Sequence, residues 1–161
     1  MAQGTGIQIS SRELHRQTRK IQRSLRRLGK ESRQRTVIRR SLGPATTPMN
    51  KQAKANAPVG RTGQYKKSIG KKERVYPGSG SVIVVIGPRD GFRIADSPYG
   101  GAHNPSVIGH LLEFGHGGPR PAPARPHLRP AFESTRSTAQ RIFNTKFWVN
   151  FRKELARVRS K

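Results

Sequence analysis

The sequence predicts an α+β fold, with a long N-terminal helix, a second helix, a small antiparallel sheet with a hairpin, and a long C-terminal helix. Apolar residues recur at helical spacing near each end of the 161-residue chain. Between these regions, SVIVVIG (Ser81–Gly87) is a β-branched run typical of a buried strand. Helices that flank a strand pair along the chain favour the α+β class.

The first helix is predicted over about residues 11–33, after a flexible arm at residues 1–10. Leu14, Ile21 and Leu28 repeat every seven residues, which places them on one narrow apolar stripe. A stripe this narrow packs against a single partner surface, so the other faces of the helix remain exposed.

A second helix is predicted from about residue 44 to 56, because Pro44 suits the start of a helix. An apolar cluster around Val37 precedes it, in a segment at 34–42 that is kinked from this helix or separate from it. The helix ends before APVGRTG, since Pro58 and two glycines cannot continue it.

Residues 71–87 predict a β-hairpin, with a Gly/Pro-rich turn before the β-branched strand. The following loop, residues 88–105, is long for a compact domain, which is usual for functional or disordered loops. HLLEFG, residues 110–115, is then expected as a further strand, the last ordered element of the sheet region. HGGPRPAPAR, residues 116–125, is expected to be a stiff, extended arm.

The C-terminal helix is predicted over about residues 130–158, with Pro130 at its first position. The run FWVNF, residues 147–151, places apolar bulk around nearly the whole helix. One small sheet cannot cover that surface, so we expect a contact between subunits. Residues 11–161 are expected to form a single domain.

Charge is the strongest signal in the composition. Lys and Arg number 33 against 8 acidic residues, a formal net charge of +25. This imbalance predicts a polyanionic partner: nucleic acid, an anionic membrane or very acidic neighbours in an assembly. Cysteine is absent, which excludes disulfides and thiolate metal sites. No apolar run approaches the roughly 20 residues of a membrane span, so no membrane partner is expected.

Basic residues dominate the predicted first helix, and acidic residues hardly interleave with them, so ion pairing within the helix cannot explain them. We expect them to contact DNA phosphates or an acidic partner in a salt-sensitive manner. The residues in question are Arg12, Arg16, Arg19, Lys20, Arg23, Arg26, Arg27, Lys30 and Arg33.

Neither a catalytic nor a metal site is expected, and no cofactor. The histidines 103, 110, 116 and 127 are irregularly spaced, and no carboxylate completes a metal triad with them. The sequence has no Gly-x-Ser-x-Gly motif. Glu113 lies in an apolar context, where burial can raise its pKa, but a lone Glu is more often structural and paired with an arginine.

Two patches together resemble a known family. They are AKANAPVGRTGQYKKSI (Ala53–Ile69) and IGHLLEFGHGGPRPAPARPHLRPAFE (Ile108–Glu133). The chain resembles the tail-completion or head–tail joining family of tailed bacteriophages, which includes minor tail protein Z-like members. The chain departs from the family pattern at three places. Tyr65 occupies a position where that family prefers Leu, and His127 replaces the usual Phe. His110 and Leu111 stand where an aromatic such as Tyr is common before Glu-Phe-Gly.

The resemblance implies a non-enzymatic structural virion protein, a neck or tail-completion ring subunit that joins head and tail around the DNA channel. It implies a homo-oligomeric ring, with a hexamer favoured and a dodecamer second, assembled in the host cytoplasm. Neighbours would be terminator, tail-tube or portal/adaptor proteins, with non-specific contact to genomic DNA. Docking is expected at Glu113, Phe114, Arg125, Pro126, His127, Leu128, Arg129, Pro130, Phe132, Phe143, Phe147 and Trp148.

The alternative is a non-specific nucleic-acid-binding protein of ribosomal or nucleoid type. The composition supports that class, and it would explain the basic helices without a ring. It does not account for the two patches in their order along the chain.

Overall fold

The computed structural model describes residues 11–60, 63–76, 81–89, 91–92, 104–118 and 121–160. This part of the chain is mostly helical, with one antiparallel strand pair, and it confirms the predicted α+β class. The elements are α1 (Ser11–Arg26), α2 (Glu31–Ala45), α3 (Thr47–Asn56), α4 (Gln64–Ser68), β1 (Ile69–Tyr76), β2 (Ser81–Pro88), α5 (Pro105–Phe114) and α6 (Leu128–Arg159).

The chain divides into two compact units. One, here called the basic unit, comprises Met1–Ala45, Val75–Ile83 and Ser137–Lys161. The other, the central unit, comprises Thr46–Arg74 and Val84–Arg136. Each has its own apolar cluster. The single domain expected for residues 11–161 stays a prediction, because compactness does not test whether the units fold separately.

The core of the basic unit forms where α1 and α2 pack on α6. Its buried members are Leu25, Leu28, Val37, Phe147 and Phe151. Phe147 is the largest of them and is 0% exposed. Removing a buried Phe side chain typically costs about 3–5 kcal/mol, so this residue anchors the packing of the three helices.

Two polar contacts tie the same three helices together. The side-chain amide of Asn144 on α6 donates to Gln17 Oε1 on α1 at 3.1 Å. Further along α6, the Asn150 amide donates to Ser41 Oγ on α2 at 3.1 Å. Ser41 is fully buried, and its hydroxyl also donates to the Val37 carbonyl at 2.7 Å, so it both donates and accepts a hydrogen bond in the core.

The boundaries of the N-terminal helices differ from the prediction. The single helix expected over residues 11–33 is interrupted, because Gly29 adopts a left-handed φ of 67° between α1 and α2. α2 then continues through Pro44, where a new helix was expected to start. α3 begins instead at Thr47, with Pro48 in its first turn, where a missing N–H costs nothing.

The core of the central unit forms around Ile69, at the start of β1, which is 0% exposed. Ala53, Ala57, Tyr65 and Ala131 complete the buried cluster. The hairpin predicted over residues 71–87 is confirmed as β1 and β2. α4, the short helix that carries Tyr65, was not predicted, since five residues are too few to show a helical period.

The strand expected at residues 110–115 is wrong, because this segment lies in the helix α5. The Asn104 side chain caps the helix by accepting the Ser106 N–H at 2.9 Å, and Pro105 occupies the first turn. Buried contacts follow helical spacing, since Ile108 and Leu112 both pack on the central cluster.

α6 extends two residues further at its start than predicted and ends one residue later. The surplus of apolar surface expected on it is smaller than predicted, because α1 and α2 cover Phe147 and Phe151. Phe132 and Val149 remain 51% and 45% exposed. The arm at 1–10 lies outside the described residues, as does most of the loop at 88–105.

Candidate assembly and nucleic-acid interfaces

Glu113, the penultimate residue of α5, caps the start of α6. Its Oε2 accepts the backbone N–H groups of His127 at 2.9 Å and Leu128 at 3.0 Å, and its Oε1 accepts that of Arg129 at 2.9 Å. A helix start leaves such N–H groups without helical partners, and a carboxylate also complements the positive end of the helix dipole. Glu113 therefore fixes the position of α6 relative to α5 within the central unit.

The electrostatics of this cap are favourable. Burial by itself would raise the pKa of Glu113, but hydrogen bonds from the backbones of His127, Arg129 and Leu128 outweigh it, and the His127 ring adds to them. The pKa of this carboxyl is therefore below its usual value. Glu113 is structural, as expected, but its partners are backbone groups and a histidine where an arginine was predicted.

His127 is buried between two ionisable side chains. Its Nε2 lies 2.8 Å from the Tyr65 hydroxyl, and its Nδ1 lies 3.3 Å from Glu113 Oε2, although without hydrogen-bond alignment. Burial, and then the charge of Glu113, raise the pKa of Tyr65 to about 12.

The contact between Tyr65 and His127 joins two of the positions at which the sequence departs from the resemblance. Both side chains are almost fully buried, at 6% and 1% exposed. Because both are enclosed in the core of the central unit, neither side chain is accessible to a substrate from solvent. Their arrangement is therefore that of a polar core pair.

The segment expected to be a stiff, extended arm folds back on itself. His116 and Ala122 form an antiparallel bridge, with N–H···O distances of 3.1 and 3.0 Å. Gly115 lets the returning chain approach closely, because its φ is 74° and a Cβ there would lie 2.8 Å from the Ala124 nitrogen. The Arg125 N–H then donates to the Leu112 carbonyl at 2.7 Å, which holds the returning chain against α5.

An apolar stripe lies exposed along α5. Val107, Leu111 and Phe114 follow the spacing of one helix face, and they are 57%, 36% and 64% exposed. The His110 ring contacts Phe114, with ring centres 4.9 Å apart, on the same side of the helix. Of this stripe, sequence analysis identified Phe114 alone, because the segment was interpreted as a strand.

The other predicted docking residues differ in accessibility. Arg125, Pro126, Arg129 and Phe132 are exposed, while Leu128, Pro130, Phe143 and Trp148 are half-buried. His127 and Phe147 are 1% and 0% exposed, so neither can dock a partner. For these two the prediction is wrong, since each is enclosed in the core of its own unit.

The nine predicted basic contact residues follow one after another along α1 and the start of α2. Eight are exposed and Arg33 is half-buried. None of the nine has a carboxylate within ion-pair distance in the described part of the chain. Six of them line a groove of about 970 Å³, which also includes Trp148 and Phe151 of α6. These six are Arg12, Arg16, Arg19, Lys20, Arg23 and Arg27.

The described residues hold no group of three or more His, Asp or Glu side chains placed to bind a metal ion. Among their helices, none combines the length and apolar character needed to cross a membrane.

Comparison with known families gives a match over residues 19–115, more than half of the chain, to the family described as "Bacteriophage HK97-gp10, putative tail-component". The matched region runs from α1 to the residue after α5, and so includes Tyr65 and Glu113 but stops before α6. Neither a search of curated proteins nor one of solved structures gave a significant match. The chain thus belongs to the HK97-gp10-like family of structural bacteriophage tail components.

Proposed function

We propose that the protein is a subunit of a ring at the neck or tail-completion position of a phage particle, joining head and tail around the DNA channel. It is assembled in the host cytoplasm and remains in the virion. Membership of a tail-component family supports a structural role, and the neck position is the more specific part of the proposal.

The observation that carries the ring is the exposed apolar stripe on α5. Val107, Leu111 and Phe114 are large apolar residues exposed together on one helix face, and a contiguous patch of this kind is typical of protein interaction sites. The stripe is also held in a fixed place, because Glu113 ties the end of α5 to the start of α6. A preorganised apolar face loses little conformational entropy on docking, so it suits a permanent interface.

The charge distribution favours a second copy of the chain as the partner that packs on this stripe. Each copy has a formal charge of +25, so most contacts between copies bring like charges together. α5 is different: apart from His110, Glu113 is its one ionisable side chain, and that carboxylate is already hydrogen-bonded. α5 therefore adds little like-charge repulsion to a contact between two copies.

A ring needs a heterologous contact, in which the stripe of one copy meets a different surface of the next. We favour six copies, with twelve second, and expect terminator, tail-tube or portal/adaptor proteins as the neighbours along the particle axis. The basic face of α1 then provides contact with the DNA backbone or with acidic neighbours.

The test is assembly of the purified protein, measured by native mass spectrometry and electron microscopy. We expect a closed ring, and we expect Phe114→Ser combined with Leu111→Ser to shift it to monomers with unchanged helix content. Val59→Ser is the matched control, because Val59 is 59% exposed and lies outside the stripe.

A monomer at all concentrations that is also absent from purified particles contradicts the proposal. Salt-dependent DNA binding without a ring would favour the alternative, a nucleic-acid-binding protein of nucleoid type. The exposed cations of α1 are the observation that supports this alternative function. Antibody labelling at the neck of particles separates the two, since the alternative predicts no label there.

A further inference from the structure

The groove between α1 and the distal half of α6 combines two features that a simple charged surface does not need. One wall is a row of cations at helical spacing, from Arg12 to Arg27. The floor holds aromatic rings, those of Trp148 and Phe151. Its volume of about 970 Å³ is at the upper end of the roughly 300–1,000 Å³ typical of ligand sites.

The charge of the groove requires an anionic occupant. Its ten lining residues include six Lys or Arg side chains and no carboxylate. Glu13 lies in an adjoining groove, which shares Arg16, Lys20 and Trp148 with this one. Successive cations along a helix repel one another, so the arrangement is favourable when a polyanion neutralises several of them together.

The indole of Trp148 is positioned as a stacking surface. Phe147 and Phe151 meet it edge-on, each at an interplanar angle of 87°, with ring centres 5.1 and 5.9 Å away. These contacts hold the indole plane in a fixed orientation. Lys20 Nζ lies 5.2 Å from its ring centre, and that lysine side chain is long, exposed and able to move aside.

The rings distinguish one class of polyanion from the others. An acidic peptide or polyphosphate would engage the cations and gain little from a recessed indole. A duplex presents phosphates, but its bases are stacked inside it and cannot reach the floor of a groove. A single strand has both groups available: phosphates for the cations and free base faces for the tryptophan.

We propose that this groove binds single-stranded nucleic acid, with phosphates on the α1 cations and a base stacked on Trp148. The site stands on the groove itself and does not require the ring. In the bound state Lys20 leaves the indole face and joins the other cations at the phosphate backbone. No sequence preference is expected, because every base has a face that can stack.

Fluorescence provides a direct test, because Trp148 is the single tryptophan of the chain. The wild-type protein is titrated with an oligothymidylate, with a duplex of equal length, and with inorganic polyphosphate. We expect saturable quenching by the single strand. Polyphosphate should displace that strand without quenching, and the duplex should bind, if at all, without quenching.

Variants separate stacking from charge. Trp148→Leu should weaken single-strand binding, followed by fluorescence polarisation of a labelled strand, by about fivefold or more, and leave polyphosphate binding unchanged. Trp148→Phe should restore most of the affinity. Arg23→Gln should weaken the binding of both ligands and reduce its salt dependence by about one charge. Arg152→Gln is the control, because Arg152 is exposed on α6 outside the groove, and it should leave the binding of both ligands unchanged.

Three results overturn the proposal. Equal quenching by all three ligands, or equal single-strand affinity in Trp148→Leu, would make the groove a general polyanion surface. The third is no binding of a single strand at low salt. Circular dichroism establishes that each variant is folded, and the wild-type titrations decide the question even if Trp148→Leu does not fold. Ring assembly is measured separately, so failure here leaves the neck proposal intact.

Discussion

The Tyr65 hydroxyl and His127 Nε2 lie 2.8 Å apart, although the two residues are separated by 62 positions in the chain. Both stand where the resembled family has an apolar residue. The structure makes them partners, so the two departures are one feature: a buried polar pair in place of an apolar one. This pairing joins α4 to the residue that precedes α6, next to the Glu113 cap.

The hydrogen bond predicts that substitutions at Tyr65 and His127 have non-additive effects on the free energy of unfolding. Tyr65→Leu leaves His127 Nε2 without its partner, and His127→Phe leaves the tyrosine hydroxyl unsatisfied. Each change should lower the free energy of unfolding by about 1–3 kcal/mol. The double variant restores an apolar pair and should lose less than the sum. Denaturant unfolding of the four proteins measures the coupling, and additivity within about 0.5 kcal/mol would contradict it.

The tyrosine itself should be detectable by titration. Burial raises the pKa of Tyr65 to about 12, with the charge of Glu113 as a second cause, so it should ionise well above the ordinary value of 10.0 in the folded protein. Absorbance of tyrosinate should show this late step. Tyr65→Phe should remove it. In denaturant the step should move toward the ordinary value of 10.0, because the burial is lost.

The Glu113 cap predicts a defined loss of stability. Glu113→Gln keeps the shape of the side chain but removes the charge and turns one acceptor into a donor that faces N–H groups. We expect the free energy of unfolding at neutral pH to fall by about 1–2 kcal/mol. Glu133→Gln is the control, because Glu133 is an exposed glutamate near the start of the same helix. Equal losses in both variants would mean that the cap contributes nothing specific.

The same carboxylate gives a pH dependence of known sign. The pKa of Glu113 is lower in the folded protein than its ordinary value of 4.5. Its contribution is therefore fully present above pH 4.5 and is lost as the pH falls through the folded-state pKa. The stability difference between the wild type and Glu113→Gln should accordingly shrink below that pH. A difference that stays constant down to complete protonation would show that the charge is not responsible.

Much of the fold could be predicted from the sequence, because α1, α6 and the hairpin have long or strongly patterned segments. The segment 105–114 was misinterpreted because a short apolar run such as HLLEF fits a strand or a helix equally well. Asn104 followed by Pro105 was the signal that could have decided it, since both residue types favour a helix start.

The candidate sites were less accessible to sequence analysis for a physical reason. Glu113 was expected to pin its segment, but its partners lie 14 to 16 residues away, and no local pattern identifies them. Trp148 and the α1 cations were both named, yet they were assigned to different surfaces. Only the packing of α1 against α6 brings them into one groove, and residue spacing along one helix carries no information about its neighbour.

The last prediction concerns Gly109, where α5 packs closely against Pro88 and Tyr65. A Cβ at Gly109 would lie 2.8 Å from Pro88 Cγ and 3.0 Å from the Tyr65 hydroxyl oxygen. Alanine in a helix gains up to about 1 kcal/mol over glycine, whereas overpacking costs about 1–3 kcal/mol. The proline ring is rigid and cannot move aside as a long side chain can. In Gly109→Ala, the cost of overpacking should therefore exceed the gain in helix propensity.

We therefore expect Gly109→Ala to unfold at lower denaturant concentration than the wild type. Gly117→Ala should not, because no atom lies within 4 Å of a Cβ at that position. The variant should also disturb the late titration step of Tyr65, since the added methyl group presses on its hydroxyl. A Gly109→Ala protein more stable than the wild type, with that step unchanged, would mean that α5 does not pack on Tyr65 as described.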